Sequence, residues 1–307
     1  MPWNFADELR KHGPASTDKP LSPSEALAYC AAVTRSHYEN FTVVSWLLPR
    51  AIVPHFQAVY AYCRWADDLA DETGGGVATL DLLDWWRRGL LDCYEGECRH
   101  PVFMALRETI RRFSIPAKPF LDLLIAFEQD QRVPKYDTFN QLLGYCANSA
   151  NPVGQLVLYL FETCDDRKAK LSDEICTGLQ LANFWQDVAR DFEIGRIYLP
   201  REDRERFGVS DEQIGTKRFD AAFGELIRFE VRRTWGYFER GRPLLSLLPR
   251  HARVDVQLFL LGGEAVLRAI EKQQYDVLTS RPRIGKVQKA KLFGRALLGM
   301  SQRFLEF

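Results

Sequence analysis

Tyr60-Ala61-Tyr62-Cys63-Arg64-Trp65-Ala66-Asp67-Asp68-Leu69-Ala70-Asp71-Glu72 packs three aromatic rings, one arginine and four carboxylates into thirteen positions. No glycine or proline interrupts it. On a 3.6-residue period Tyr60, Arg64, Asp67/Asp68 and Asp71 stand three to four residues apart on one face. That period predicts a helix over 54–72. Working outward, the same spacing predicts helices over 24–38, 80–94, 102–113, 119–131, 139–145, 153–164, 173–192, 221–241, 254–274 and 287–304. Prolines fall between these stretches or at their starts, where a helix tolerates them (Pro49, Pro116, Pro134, Pro200 and Pro249 among them). Two-residue alternation is scarce, and Arg196-Ile197-Tyr198-Leu199 is the best extended candidate. No long polar linker and no fixed-period repeat divides the chain. The expected fold is all-α. One helical domain over 21–307 follows a flexible N-terminal arm, 1–20, broken by Gly13-Pro14 and Pro20.

A second passage echoes the first: Gln180-Leu181-Ala182-Asn183-Phe184-Trp185-Gln186-Asp187-Val188-Ala189-Arg190-Asp191. Here Gln180, Asn183, Asp187 and Asp191 share a helix face. Carboxylates at i and i+4 repel, so a helix gains nothing from them unless something positive sits between. One such pair alone reads as an ordinary solvated face. Two pairs, on separate helices and in apolar, aromatic settings, point to a shared metal–diphosphate site. Carboxylate, amide and water oxygens suit Mg²⁺, which also binds phosphate.

The remaining composition narrows the class. Hydrophobic residues make up 46% of the 307 positions, with 20 Phe, 11 Tyr and 7 Trp, which suits a large core and excludes a disordered chain. The charge balances, 41 Lys+Arg against 41 Asp+Glu, so nothing draws the whole molecule to nucleic acid. It is uneven, however: from residue 268 onward nine basic residues face three acids, leaving a tail of +6. That tail reads as a solvated basic helix, a flap over diphosphate, or a contact with anionic lipid. Seven cysteines without C-x-x-C spacing suit reduced thiols in a cytoplasmic protein. The N-terminus has no signal-peptide pattern, and no apolar run approaches the roughly 20 residues that cross a bilayer. His37 reads by itself as a capping or packing residue, and Trp85-Trp86 as core. Gly74-Gly75-Gly76 lacks a preceding strand and reads as a flexible loop rather than a nucleotide-binding turn; dinucleotide and P-loop fingerprints are missing.

At these residues the chain resembles the squalene/phytoene synthase family, trans-type isoprenoid synthases whose helices surround a central cavity. The landmarks run through Leu47-Leu48-Pro49, the Tyr60-to-Asp71 passage, Tyr145-Cys146 with Val153-Gly154, the Gln180-to-Asp191 passage and Gly195-Arg196-Ile197-Tyr198-Leu199-Pro200. They cover nearly everything after the N-terminal arm. The resemblance implies several Mg²⁺ ions bound with substrate diphosphate. Asp67, Asp71, Asn183, Asp187 and Asp191 would face the metal, with Asp68 among the catalytic acids. Tyr60, Arg64 and Gln180 would hold substrate, and Tyr145 would line the reaction cavity.

Departures from the family pattern refine this. A Ser-x-Ser-Phe segment of many members reads Tyr38-Glu39-Asn40-Phe41 here, and Ala-Gly-x-Val-Gly reads Ala150-Asn151-Pro152-Val153-Gly154. An arginine before the second acidic motif is replaced by Gln186, for which Arg190 or Arg196 could substitute on the phosphate, and an expected tyrosine corresponds to Gly263. With His37 ahead of Tyr38, these variants resemble the bacterial hydroxysqualene synthase branch of the hopanoid route. Its members take presqualene diphosphate from a paralogous synthase, quench the rearranged cation with water, and precede a squalene-forming oxidoreductase. The expected reaction needs no nicotinamide cofactor. His37, Tyr38, Asn40, Phe41, Asn151 and Gln186 join the candidate substrate contacts, and Asn40, Asn151, Gln186 and Tyr145 are candidates to hold the water. The alternatives are head-to-head condensation to squalene, dehydrosqualene or phytoene, and a non-catalytic relative acting as an assembly module. The expected location is the cytoplasm, with peripheral contact at the inner membrane face through the tail.

Overall fold

Two stacked indoles organise the N-terminal part of the structure, a computed structural model that describes residues 3–17, 21–36 and 48–285. The rings of Trp65 and Trp86 lie 5.3 Å apart and 10° from parallel, both fully buried. Trp65 belongs to α3 (Val53–Glu72), which has Pro54 in its first turn, and Trp86 to α4 (Gly76–Glu95). Gly74, Gly75 and Gly76 link the two helices with φ of 88°, 79° and 73°. Three successive residues with positive φ form a connection that only glycine adopts at little cost.

Around that pair stand α1 (Phe5–His12), α2 (Pro23–Ser36), α5 (Pro101–Phe113) and α6 (Lys118–Asp130). Helix α2 packs on α3 and α5, and α3 also meets α4 and α6. Tyr62 on α3 donates its hydroxyl to the Phe120 carbonyl at 3.0 Å. His100 caps α5 by accepting from the Val102 amide, and its ring stands edge-on to Trp65 at 4.4 Å and Trp86 at 4.8 Å. Burial holds that imidazole well below its usual pKa, so it packs as a neutral ring. Each large side chain withdrawn from water here contributes about 1.5–3 kcal/mol.

The segment expected as a loose arm contains a helix. Asn4 caps α1 by accepting from the Asp7 amide, and Phe5, 2% exposed, stands edge-on to Trp65 at 5.1 Å. Burial of one aromatic ring outweighs the local breakers Gly13 and Pro14, which fall just past the helix end.

The C-terminal helices are α7 (Phe139–Ser149), α8 (Asn151–Leu160), α9 (Asp166–Glu193), α10 (Arg201–Phe207), α11 (Asp211–Gly215), α12 (Ala221–Gly241), α13 (Leu244–Leu247) and α14 (Arg250–Lys272). Thr138 and Gln141 close a capping box on α7. Asp165 caps α9, which runs 28 residues and packs on α12 and α14. The Trp185 indole donates to Thr234 Oγ1 at 2.8 Å, locking α9 to α12. Contacts divide the chain into two compact units, one reaching to Arg132 with Gln155–Cys164 added, the other Val133–Gly154 with the residues from Asp165 on.

Among the described residues there is no strand. The extended candidate around Ile197 makes a single parallel bridge to Lys135. No described helix is long and apolar enough to cross a membrane. The predicted helix over 287–304 lies outside the described residues.

Candidate active site

The acids of α3 part into two sets. Asp68 is 0% exposed and pairs with the Arg64 guanidinium, while the Trp3 indole donates to its Oδ2 at 3.3 Å. Burial pushes its carboxyl up to about 6, against the pull of Arg64. Asp67 keeps 41% of its side chain exposed, and Asp71, one turn on, is exposed. The helix thus turns Asp67 and Asp71 outward and Asp68 inward. Successive residues point about 100° apart, so neighbouring aspartates of identical chemistry take different roles. Arg64, expected to hold substrate, already serves carboxylates: Asp67 at 2.9 Å, Asp68, and Glu72 at 3.7 Å. Tyr60 is half-buried one turn upstream, and burial pushes its phenol up.

Helix α9 repeats the pattern. Gln180, Asn183, Asp187 and Asp191 keep accessible surface, whereas Leu181, Ala182, Phe184, Trp185, Gln186 and Val188 are buried. Asp187 is held by both ends of the Arg281 fork: Nε binds Oδ1, and Nη2 donates to Oδ2 at 2.9 Å. Arg190 approaches Asp187 at 3.6 Å. Asp191 is pushed up to about 7 by burial and by the negative charge of Asp187, against the pull of Arg196, Arg190 and Arg281. Two carboxylates one turn apart therefore strain against each other unless a cation joins them. Arg196 follows the Gly195 turn, where φ is +82°, and its amide bonds back to the Asp191 carbonyl.

Gln186 does not share the accessible stripe. It is 6% exposed, its Nε2 donates to the Pro282 carbonyl at 2.6 Å, and its Oε1 accepts from Arg281. Tyr145 on α7 is buried in an aromatic cluster with Tyr136, Tyr198 and Phe184, at 5.7, 5.8 and 6.1 Å between ring centres. Phe184 and Tyr198 stack at 3.9 Å. Asn151 opens α8, and its Oδ1 accepts from the Thr177 hydroxyl at 3.0 Å. The candidates His37, Tyr38, Asn40 and Phe41 lie outside the described residues.

These donor sets fit a hard divalent cation. Each accessible pair offers oxygen ligands only, and a guanidinium already rests on each as a resident positive charge, Arg64 on Asp67 and Arg281 on Asp187. Among the described residues no three His, Cys, Asp or Glu side chains gather into a metal cage. Mg²⁺ needs none, because it keeps waters and completes its shell with substrate phosphates. Sequence reasoning missed Arg281, which sat unremarked among the basic residues of the tail. Only that general basicity marked it.

The squalene/phytoene synthase family profile matches residues 34–288. The 15-cis-phytoene synthase of Synechocystis is 31% identical over 281 residues, covering 87% of this chain and 83% of that one. Among solved structures, squalene synthase HpnC from Alicyclobacillus acidocaldarius is 44% identical with a TM-score of 0.80, covering 83% of this chain and 97% of that chain. A dehydrosqualene synthase solved with a ligand is 25% identical, also with a TM-score of 0.80, over 91% and 98%. The all-α architecture is that of the isoprenoid synthases. With the profile spanning most of its length, this chain belongs to the squalene/phytoene synthase family, isoprenoid-biosynthetic enzymes that act on prenyl diphosphates.

Proposed function

We propose that the chain converts presqualene diphosphate and water to hydroxysqualene and diphosphate. The observation that carries this is an accessible carboxylate pair on each of α3 and α9, in a chain more similar to a squalene synthase than to the phytoene synthases. Asp67 and Asp71, with Asn183, Asp187 and Asp191, would hold divalent ions. Bound there, Mg²⁺ supplies the positive charge that makes diphosphate a leaving group.

The chain's own residues do the rest. Tyr145, Phe184 and Tyr198 form a buried aromatic cluster, and each ring face not covered by a neighbour would stabilise a passing carbocation by about 0.5–2 kcal/mol. Their burial keeps bulk water away while the cyclopropylcarbinyl cation rearranges. One water must then reach one carbon. Of the polar candidates, Gln186 is engaged at both ends by residues 281–282. Thr177 fixes the orientation of the Asn151 amide, which with the Tyr145 hydroxyl is the water-holding group we assign. The substrate would come from a presqualene diphosphate synthase and the alcohol pass to a squalene-forming oxidoreductase.

Condensation of two prenyl diphosphates is the second reading, favoured by the similarity to phytoene synthases. One experiment separates the two. The chain is incubated with Mg²⁺ and without NADPH, supplied with presqualene, farnesyl or geranylgeranyl diphosphate in turn. Alcohol from presqualene diphosphate alone is the expected product; phytoene, dehydrosqualene or presqualene diphosphate itself formed from the others overturns it. Asp67→Asn and Asp187→Asn should each cut turnover by about 10²–10³-fold with helical circular dichroism unchanged. Full activity in both removes the catalytic reading.

A further inference from the structure

The chain beyond α14 is a built strap. Gln274 and Tyr275 turn it with φ of 53° and 64°, and the Asp276 carboxylate accepts from the Leu278 and Thr279 amides. Gln273 Nε2 donates to the carbonyls of Asp276 and Ser280, both at 2.6 Å. Val277 and Leu278 are buried. The strap then delivers Arg281 to both oxygens of Asp187, while Gln186 grips it from below through Arg281 and the Pro282 carbonyl. Nothing about a solvated basic tail requires four such bonds on one turn of α9.

A forked guanidinium–carboxylate pair is among the stronger polar contacts a protein makes, and its two parallel bonds fix geometry as well as charge. A divalent ion coordinates carboxylate oxygen at about 2.0–2.1 Å. It would meet the Arg281 charge a few ångströms away, a repulsion of several kcal/mol at an effective dielectric near 20. Arginine and metal are therefore alternative partners of Asp187. We propose that Arg281 is the internal counter-ion of Asp187 in the unloaded chain, exchanged for the divalent cation when the site fills, and that Gln186 is the positioning residue that aims it. This rests on the reading of Asp187 as a metal carboxylate. It gives Gln186, the substitution that sets this chain apart from the family pattern, a role in timing metal entry rather than in touching substrate. It also makes metal loading and release of the strap one event.

The test is a calorimetric titration of Mn²⁺ into the full chain without substrate, paired with hydrogen exchange over residues 276–285 with and without the metal. Wild type should bind weakly and lose protection over the strap as metal enters. Arg281→Gln should bind roughly 5–20-fold tighter and show strap exchange that metal no longer changes. Arg281→Lys, which keeps the charge without the fork, should fall between. Gln186→Leu should tighten binding about 2–5-fold, and far-UV circular dichroism checks that each variant folds. Unchanged or weaker metal affinity in both Arg281 variants overturns the latch, as does strap protection that metal does not alter in wild type. Asp187→Asn separates the two ideas. If it loses metal affinity while Arg281→Gln changes nothing, the latch alone falls; if it binds metal like wild type, the metal reading falls as well.

Discussion

Asp255 is a carboxyl on α14 that is 2% exposed and has no hydrogen-bond partner for either oxygen among the described residues. Its neighbours in kind are provided for: Glu264, equally buried on the same helix, is paired by Arg242 and Arg268, and Glu230 on α12 lies against Arg233. Burial alone pushes Asp255 up to about 7, from 3.8 for an ordinary aspartate. Between those values the folded chain keeps a proton that the unfolded chain releases. Unfolding free energy therefore falls as pH rises from about 4 to about 7, then levels off. Asp255→Asn removes that dependence. Its gain over wild type should grow by about 2 kcal/mol between pH 5 and pH 8, read from urea midpoints of both proteins at both pH values. An equal difference at the two pH values would show that Asp255 keeps an ordinary carboxyl in the folded chain.

Phe238 shows how the C-terminal helices meet. Its ring lies against Gly178 of α9 and Gly263 of α14, where an added Cβ would come within 2.7 Å and 2.5 Å of ring carbons. At Gly263 the Leu179 side chain is also only 2.7 Å from that point. Gly263→Ala should cost about 1–3 kcal/mol as an overpacked contact, and Phe238→Leu in the same chain should recover part of it; chemical denaturation of the single and double variants reads both. No recovery would place the strain at Leu179 instead. Sequence periodicity located the long helices well, since α3 and α14 each carry an apolar stripe. It set the start of α9 seven residues late, because the first two turns are polar and only Asp165 marks the cap. Short helices such as α10, α11 and α13 escaped it, having too few turns to show a period. The acidic motifs were legible, but not that Asp68 faces the core, nor that a residue 94 positions away would sit on Asp187. Those depend on tertiary contacts that no local pattern encodes.

Over the whole chain, no disulfide contributes to the stability, because all seven cysteines are free. What holds the fold is burial: Trp65, Trp86, Trp185, Tyr62, Tyr136, Phe120, Phe223 and Phe238 are all essentially removed from water, at about 1.5–3 kcal/mol each. The thiols divide by environment. Burial pushes Cys30, Cys63, Cys146 and Cys176 up to about 12, so they stay protonated and inert near neutral pH. Cys98 lies in the connection between α4 and α5 and is partly exposed; a hydrogen bond from Cys93, with Arg107 and Arg111 nearby, lowers its thiol. Thiolate, not thiol, is the reactive species, so Cys98 should label first, and Cys30 and Cys146, which are buried, only on unfolding. Titration with a chromogenic disulfide reagent at pH 7 should give one fast site in the native chain and seven in denaturant without reductant. Thermal midpoints with and without reductant should agree. Fewer than seven thiols in denaturant, or a midpoint that reductant lowers, would mean that a disulfide shares the work assigned here to the aromatic core.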